Sequence, residues 1–458
     1  MFIRLGGRAQ RPKEPTRPQG PRKAQGPRKA QSPGGRSELV HPREGWPKDG
    51  SRPPLFSRRG FLARSGGAGL AALAGGALLD ACAPALAGAG KVPLPRPDNP
   101  VMWPVYSENK PIASGMQPET GATLQIFNWV AYVNQACVNH FAKKYNCKVQ
   151  VTTFNTMNEA LSKLRSGLSF DVFMGVTVDV LGQLIESKLI QPLNHSYIPN
   201  ISQAWPDFTN PFYDQHWQYT SPYTIYTTGI SWRKDLVHEN PYTMRNPWAM
   251  PWQPKYKGKV AILDDYREGI SLGLMKNGIF DLNTTDRSQI ALSRRSLEDL
   301  SRLVDVHIDN NDYTEVPDGQ TWIHHAWSGD MAAAPYYMPK GVPVETVGYW
   351  FPTDGRGPVA NDTLTVLRSS TSPVLAHLFL NYMLDLPNVL ENISFNGYMQ
   401  PLNECTPQRL VKEQLLPKSL ISTAVLPSYF RRGVSELQLP VDADALWQQA
   451  WLVVSNGI

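Results

Sequence analysis

Between residues 122 and 186, short apolar runs alternate with segments of helical period. Ala122–Asn128 reads as a strand, 133–145 as a helix and Lys148–Phe154 as a strand. A helix over 158–166, a strand over 170–174 and a helix opening near Asp179 follow. Each gap between strands has room for a crossover helix, so the pattern predicts a parallel sheet with helices on both faces. Ligands of such sheets bind beyond the carboxyl ends of the strands, where Asn128-Trp129 and Gly175-Val176-Thr177 fall.

A second set of the same kind lies further on. Tyr219–Trp232 alternates like a long strand and reads as a crossover. Lys259–Leu263 is an expected strand, 268–277 and 286–304 are expected helices, and Ile323–Trp327 is a strand running into Ser328-Gly329-Asp330. Helical period returns at 373–384 and 387–394. The expected architecture is an α/β chain with two lobes and a ligand cleft between them. Residues 121–225 form the first part of lobe 1, 226–361 lobe 2, 362–405 the return to lobe 1, and 406–458 C-terminal helices packing on lobe 2. The Pro-rich stretch 83–120 reads as a tether.

Residues 1–56 are crowded with Pro, Gly, Arg and Lys, and Gly20–Gln25 is repeated at once as Gly26–Gln31. Such a stretch buries too little apolar surface to offset its ordering entropy and reads as a disordered basic leader. Ser57-Arg58-Arg59-Gly60-Phe61-Leu62 then sets an arginine pair before the apolar run 66–79. That run is too short to span about 30 Å of hydrocarbon, so it is the apolar region of an export signal. The SRRGFL string resembles a twin-arginine signal. Leu79-Asp80-Ala81-Cys82 resembles a lipobox, in which Cys82 is lipidated and opens the mature chain. Cleavage after Ala85-Leu86-Ala87 is the alternative, and it would release a soluble protein. The expected location is extracytoplasmic in either case.

Setting the signal aside reverses the charge. Residues 1–82 carry 16 Lys+Arg and 5 Asp+Glu, against 45 and 39 in the whole chain. Residues 83–458 keep 29 and 34, a net of −5, although the full chain is formally +6. An acidic body argues against nucleic acid and suits cationic ligands. Cys137 and Cys147 flank a predicted helix, and either pair in an oxidising compartment or remain two free thiols. No GxSxG, P-loop, HExxH or helix-opening GxGxxG occurs, and the adjacent His324 and His325 would face opposite sides of a strand. These features give no sign of an enzyme, a cofactor or a metal site.

Several strings fall together in order. Asn128-Trp129 with Tyr132, and Phe154 with Asn158-Glu159, follow the first two strands. Tyr256-Lys257-Gly258-Lys259-Val260 precedes Leu263-Asp264-Asp265-Tyr266-Arg267-Glu268. Trp327-Ser328-Gly329-Asp330, Asn361-Asp362, and Gly397-Tyr398 with Pro401 complete the set. In this order and at these intervals, from about residue 122 to 405, the chain resembles the spermidine/putrescine-binding proteins of bacterial ABC transporters. The resemblance implies a type II periplasmic-binding-protein fold and the handing of a polyamine to a membrane permease.

A polyamine alternates methylenes with ammonium groups. Aromatic faces hold both parts, and carboxylates fix where each charge sits. By the resemblance, Trp129 and Tyr132 are walls of lobe 1 and Trp327 a wall of lobe 2. Asp265, Glu268, Asp330 and Asp362 receive amines, and Tyr398 is a cleft tyrosine. Each has a structural alternative: core packing for the tryptophans and Tyr398, a helix N-cap with a capping box for Asp265 and Glu268, and a turn for Asp330. The chain departs from the family after the third strand, where Val176, Thr177 and Val178 replace a Ser and a Tyr, with Asp179 then read as the N-cap of the next helix. It departs again at Ala360, which stands where an aromatic is usual; Tyr349 or Trp350 is a candidate replacement. The expected protein is an extracytoplasmic monomer, attached to the membrane only through its lipid, that binds a polyamine-like cation for an ABC permease. The alternatives are another small solute in the same fold, or a receptor for a membrane sensor.

Overall fold

The computed structural model describes residues 93–457. The leader, the signal at 57–82 with Cys82, and the first part of the expected tether lie outside them. Among the described residues nine strands are present: β1 Thr123–Trp129, β2 Lys148–Phe154, β3 Val172–Thr177, β4 Ser221–Arg233, β5 Val260–Leu263, β6 His307–Asp309, β7 Ile323–Trp327, β8 Val347–Trp350 and β9 Val359–Val366. They follow the order β2-β1-β3-β9-β4-β7-β5-β6, with β8 also on β4.

The first half of the sheet is built as the alternation predicts. β1 pairs in parallel with β2 and β3. The helices between and after them are α1 Gln135–Lys144, α2 Met157–Arg165 and α3 Val178–Glu186. In α2, Met157, Ala160, Leu161 and Leu164 are buried at helical spacing, and Thr156 caps the start by accepting from Glu159 N at 3.2 Å. The cap of α3 is Thr177, so Asp179 stands one residue inside the helix and is not its N-cap.

β4 carries the chain between the lobes. All thirteen of its residues are buried. Ser221–Thr227 pairs with β9, Thr228–Trp232 with β7 and Ile230–Arg233 with β8, all antiparallel. β5 pairs in parallel with β6 and β7. The second lobe's helices are α4 Tyr266–Lys276, α5 Arg287–Val304, α6 Asp312–Asp318 and α7 Ser328–Ala332. After β9 come α8 Pro373–Tyr382, α9 Leu386–Asn396, α10 Pro407–Lys412, α11 Pro427–Arg432 and α12 Val441–Asn456.

The described residues form two apolar cores, and the first extends into the second lobe through Val316, Ala326, Met331 and Tyr349. One gathers Ile126, Phe127, Phe141, Phe154, Phe173 and Phe379, and the other Ile262, Leu272, Leu297, Leu300, Trp447 and Trp451. The C-terminal region is shared between them. Helix α12 packs on the second core through Trp447 and Trp451, whereas Leu410, Leu416 and Leu420 join the first. Val434 and Leu439, ahead of α12, also belong to the second core. β9 pairs first with β4 at Val359–Asn361 and then, from Asp362, also with β3 of lobe 1.

The described part of the expected tether is packed against the body. Trp103 is 1% exposed, and its Nε1–H donates to Tyr213 O at 2.7 Å. Asn109 Nδ2 donates to Ile190 O at 2.9 Å. A buried tryptophan ties down a stretch whose Pro-rich composition reads as linker. The disulfide alternative also falls, since Cys137, Cys147 and Cys405 are free. Cys137 is buried against α9, with its thiol 3.3 Å from Glu391 Oε2.

Candidate functional site

At the carboxyl end of β1, Trp129 turns its indole over the end of β3 and donates Nε1–H to Gly175 O at 2.9 Å. Gly175 has φ +75°, and a Cβ there would stand 2.4 Å from Trp129 Cδ1 and 2.9 Å from Tyr132 Cε1. Glycine is what lets both rings close over this strand end. Tyr132 donates its hydroxyl hydrogen to Asp362 Oδ2 at 2.7 Å and also meets Thr224 Oγ1. Asp362, on β9, is 4% exposed and accepts from Tyr226 OH at 3.2 Å. Burial pushes its carboxyl up to about 6, against the pull of the two hydroxyls.

Tyr226 brings an aromatic ring beside Ala360. The two residues are register partners in the β4–β9 pair, so their side chains share a face. The Tyr226 ring lies edge-on to Trp327 and Tyr398, at centroid distances of 6.5 and 5.7 Å. Tyr349 and Trp350 do not take that place. Tyr349 donates to Thr227 O at 2.8 Å from the core, and Trp350 packs on Trp248.

In lobe 2, Asp265 caps α4 by accepting from Arg267 N and Glu268 N at 2.8 and 3.2 Å. The expected capping box is not completed, because Glu268 reaches elsewhere. Its Oε1 accepts from Trp327 Nε1 at 2.7 Å and from Thr228 Oγ1 at 2.8 Å. The indole of the expected wall thus holds the carboxyl of the expected amine receptor. Burial and Asp265 push Glu268 up to about 7, while burial and Asp179 push Asp265 up to about 6. The Arg267 guanidinium does not neutralise the cluster by direct pairing: it donates to Leu437 O, Leu282 O and Asn283 Oδ1.

Asp330, in the short helix α7, stands beside Asp312 of α6, and the two carboxyls interact. Burial pushes Asp330 up to about 6. Burial and Asp330 push the fully buried Asp312 well above the carboxylate range. Asp312 Oδ2 also accepts from Trp327 N at 3.2 Å. Tyr398 packs edge-on to Tyr132 at 5.0 Å, and a Cβ on Gly329 would stand 2.3 Å from its ring.

All eight expected residues line one cavity of about 1120 Å³. It is walled by Trp129, Trp327 and Trp451 and by seven tyrosines. Among the described residues ten carboxylates line it against three arginines, with no lysine or histidine. Sequence reasoning missed Tyr226, Tyr313, Tyr337, Asp179 and Glu436 among these residues. The alternation of β4 places Tyr226 on the cleft face, but only the register pairs it with Ala360. Glu436 and Asp179 meet Glu268 and Asp265 through chain crossings that have no local signature; burial pushes both carboxyls up.

A chain of raised carboxyls between aromatic faces is a site short of positive charge. Such a lining can accept hydrogen bonds from cationic donors and offers ring faces to apolar groups.

Comparison with known proteins agrees with the architecture. The bacterial extracellular solute-binding protein family matches residues 136–414. The spermidine/putrescine-binding periplasmic protein of Escherichia coli (strain K12) is 26% identical over 291 residues, 63% of this chain and 80% of that protein. The putrescine/cadaverine-binding protein of Pseudomonas aeruginosa is 24% identical over 286 residues, 61% of this chain and 79% of that protein. Among solved structures, a putative spermidine/putrescine ABC transporter from Listeria monocytogenes superposes with TM-score 0.63 at 23% identity, covering 73% of this chain and 98% of that one. The Treponema pallidum lipoprotein Tp0655 superposes with TM-score 0.61 at 20% identity, covering 72% and 99%. The family match, spanning more than half of the chain, and the shared two-lobed fold place this chain among the bacterial extracellular solute-binding proteins, which bind solutes and do not transform them.

Proposed function

We propose that this protein captures a polyamine, a putrescine- or spermidine-like cation, by closing its two lobes, and delivers it to an ABC permease. The observation that carries the reading is the lining of the cleft: ten carboxylates against three arginines, set between tryptophans and tyrosines. In this reading Trp129, Trp327 and Tyr398 cover the methylenes, with Tyr132 and Tyr226 holding Asp362 from behind. Glu268, Asp265 and Asp330 receive the ammonium groups. The signal at 57–82 exports the protein, and lipidation of Cys82 keeps the monomer near its permease; mass spectrometry of the mature N-terminus separates this from cleavage after Ala87.

The test is thermal. Spermidine or putrescine at a hundred times its Kd is expected to stabilise the folded protein by about 2.7 kcal/mol and so raise Tm. Asp330→Asn and Trp327→Ala are expected to remove most of that rise. A rise that survives both substitutions would contradict the assigned contacts.

The raised carboxyls also predict proton release. In the ligand-free cleft Asp265, Asp330 and Asp362 titrate near 6 and Glu268 near 7. A cation favours the ionised forms, so affinity is expected to rise from pH 5 to 8 and binding near pH 6–7 to expel protons. For the ligand-free protein the sign is opposite. Its folded state holds more protons than the unfolded chain, so these groups cost stability as pH rises through that window. Titration calorimetry in two buffers of different ionisation enthalpy reads the release; buffer-independent heats at pH 6.5 would count against it.

A further inference from the structure

A histidine lies behind the cleft. His325, on β7, is fully buried, and neither ring nitrogen has a hydrogen-bond partner among the described residues. Its Nε2 stands 4.0 Å from Glu268 Oε2, an oxygen that is likewise buried and unpartnered. The other oxygen of Glu268 is held by Trp327 and Thr228. Two buried polar atoms facing each other, each otherwise unpaired, cost free energy until they meet. A shift of about 1 Å brings this pair to hydrogen-bond distance. The neighbouring His324 turns to the other face of the strand, where its Nε2 is 3.6 Å from Asp309 Oδ1.

A neutral imidazole offers one N–H and one lone pair. Because Nδ1 of His325 meets no partner, nothing around the ring fixes which nitrogen holds the hydrogen. Burial, aided by His324, pushes His325 down to about 3, so the ring stays neutral at working pH. Glu268 is faced by Asp265 and Arg267 of its own helix region, by Glu436 of the C-terminal segment, and by the hydroxyls of Tyr226 and Tyr349. Those groups set where Glu268 titrates, and none of them is bonded to Oε2.

We propose that His325 is a positioning residue that holds the Glu268 carboxyl in both of its charge states by exchanging tautomers. When Glu268 is protonated, Oε2–H donates to the Nε2 lone pair. When a cation draws Glu268 into its ionised form, Nε2–H donates to Oε2. The two-proton state, Oε2–H with Nδ1–H, thus becomes a one-proton state with Nε2–H, and the pair releases one proton overall when the protein opens enough to pass it. The ionised arm rests on the cationic-ligand reading above; the tautomer exchange does not.

Two measurements test it on the full chain. The first uses no ligand: ring ¹⁵N spectra of histidine-labelled protein between about pH 5.5 and 8.5, with the His325 signals identified by their loss in His325→Phe. The His325 pattern is expected to pass from Nδ1–H to Nε2–H with the midpoint of Glu268, and to stay fixed in Glu268→Gln. A single tautomer throughout that range in the unsubstituted protein would overturn the proposal, and this arm decides even if His325→Phe folds poorly, because Glu268→Gln then identifies the signal. The second titrates spermidine. His325→Phe is expected to weaken binding about tenfold and move its pH midpoint upward, while His325→Gln, whose amide can donate or accept, restores most of both. Unchanged affinity and midpoint in His325→Phe would also overturn it. Tautomer exchange in a protein that binds no spermidine would sink the cation reading and leave this inference standing.

Discussion

Glu268→Gln is expected to lower spermidine affinity by about thirtyfold or more while leaving the ligand-free fold intact. Glutamine keeps the shape and an oxygen to accept from Trp327 Nε1 and Thr228 Oγ1, so the wall of the cleft stays in place. What disappears is a negative charge in a buried setting, where losing one partner of a hydrogen-bonded charge pair costs about 2–5 kcal/mol. The ligand-free variant tests the same physics with the opposite sign. Glu268 sits among Asp265, Glu436 and Asp179, whose mutual repulsion and burial raise their protonation. Removing one charge relieves that repulsion, so at pH 8 the ligand-free variant should melt no lower than the parent and gain little from spermidine. Calorimetric titration and scanning read the two effects. Weakened binding together with a large loss of ligand-free stability would mean that Glu268 is structural.

The second large effect is predicted at Gly397. It ends α9 with φ +74° and its N–H donates to Ile393 O at 2.9 Å. A Cβ there would stand 2.1 Å from Gly329 O and 2.7 Å from Ala333 N, both backbone atoms of the α7 turn that carries Asp330. Gly397→Ala therefore combines an unfavourable left-handed alanine, about 1–2 kcal/mol, with displacement of that turn. We expect about 2–4 kcal/mol in all, measured by urea denaturation, and a loss of spermidine affinity because Asp330 moves with its helix. Gly341→Ala is the comparison. Its φ is +85° with no atom within 4 Å, so it should pay only the conformational term. Equal effects at the two sites would remove the argument from close approach.

Much of the fold was legible because its elements announce themselves locally. β2 and β7 match their predicted ranges, and α2 shows its buried face in the spacing of Met157, Ala160, Leu161 and Leu164. The eight expected residues fall in short strings of fixed order, and all eight line the same cavity. What the sequence concealed depends on partners far along the chain. Tyr226 comes beside Ala360 only through strand register, and Asp312 meets Asp330 only when α6 packs beside α7. The capping-box alternative for Glu268 fits the local spacing, but its carboxylate accepts from the indole of Trp327, 59 residues on. Trp103 shows the same limit: its Pro-rich surroundings read as tether, and its buried place against Tyr213 has no local sign.

The most direct test of the central claim is calorimetric titration of ligand-free protein at pH 7.5 with spermidine, putrescine and an uncharged solute of similar length. The account predicts saturable one-site binding of the amines, with affinity falling as pH is lowered through the range where the cleft carboxyls titrate, and no heat from the uncharged solute. Binding of the uncharged solute with no response to either amine would contradict it.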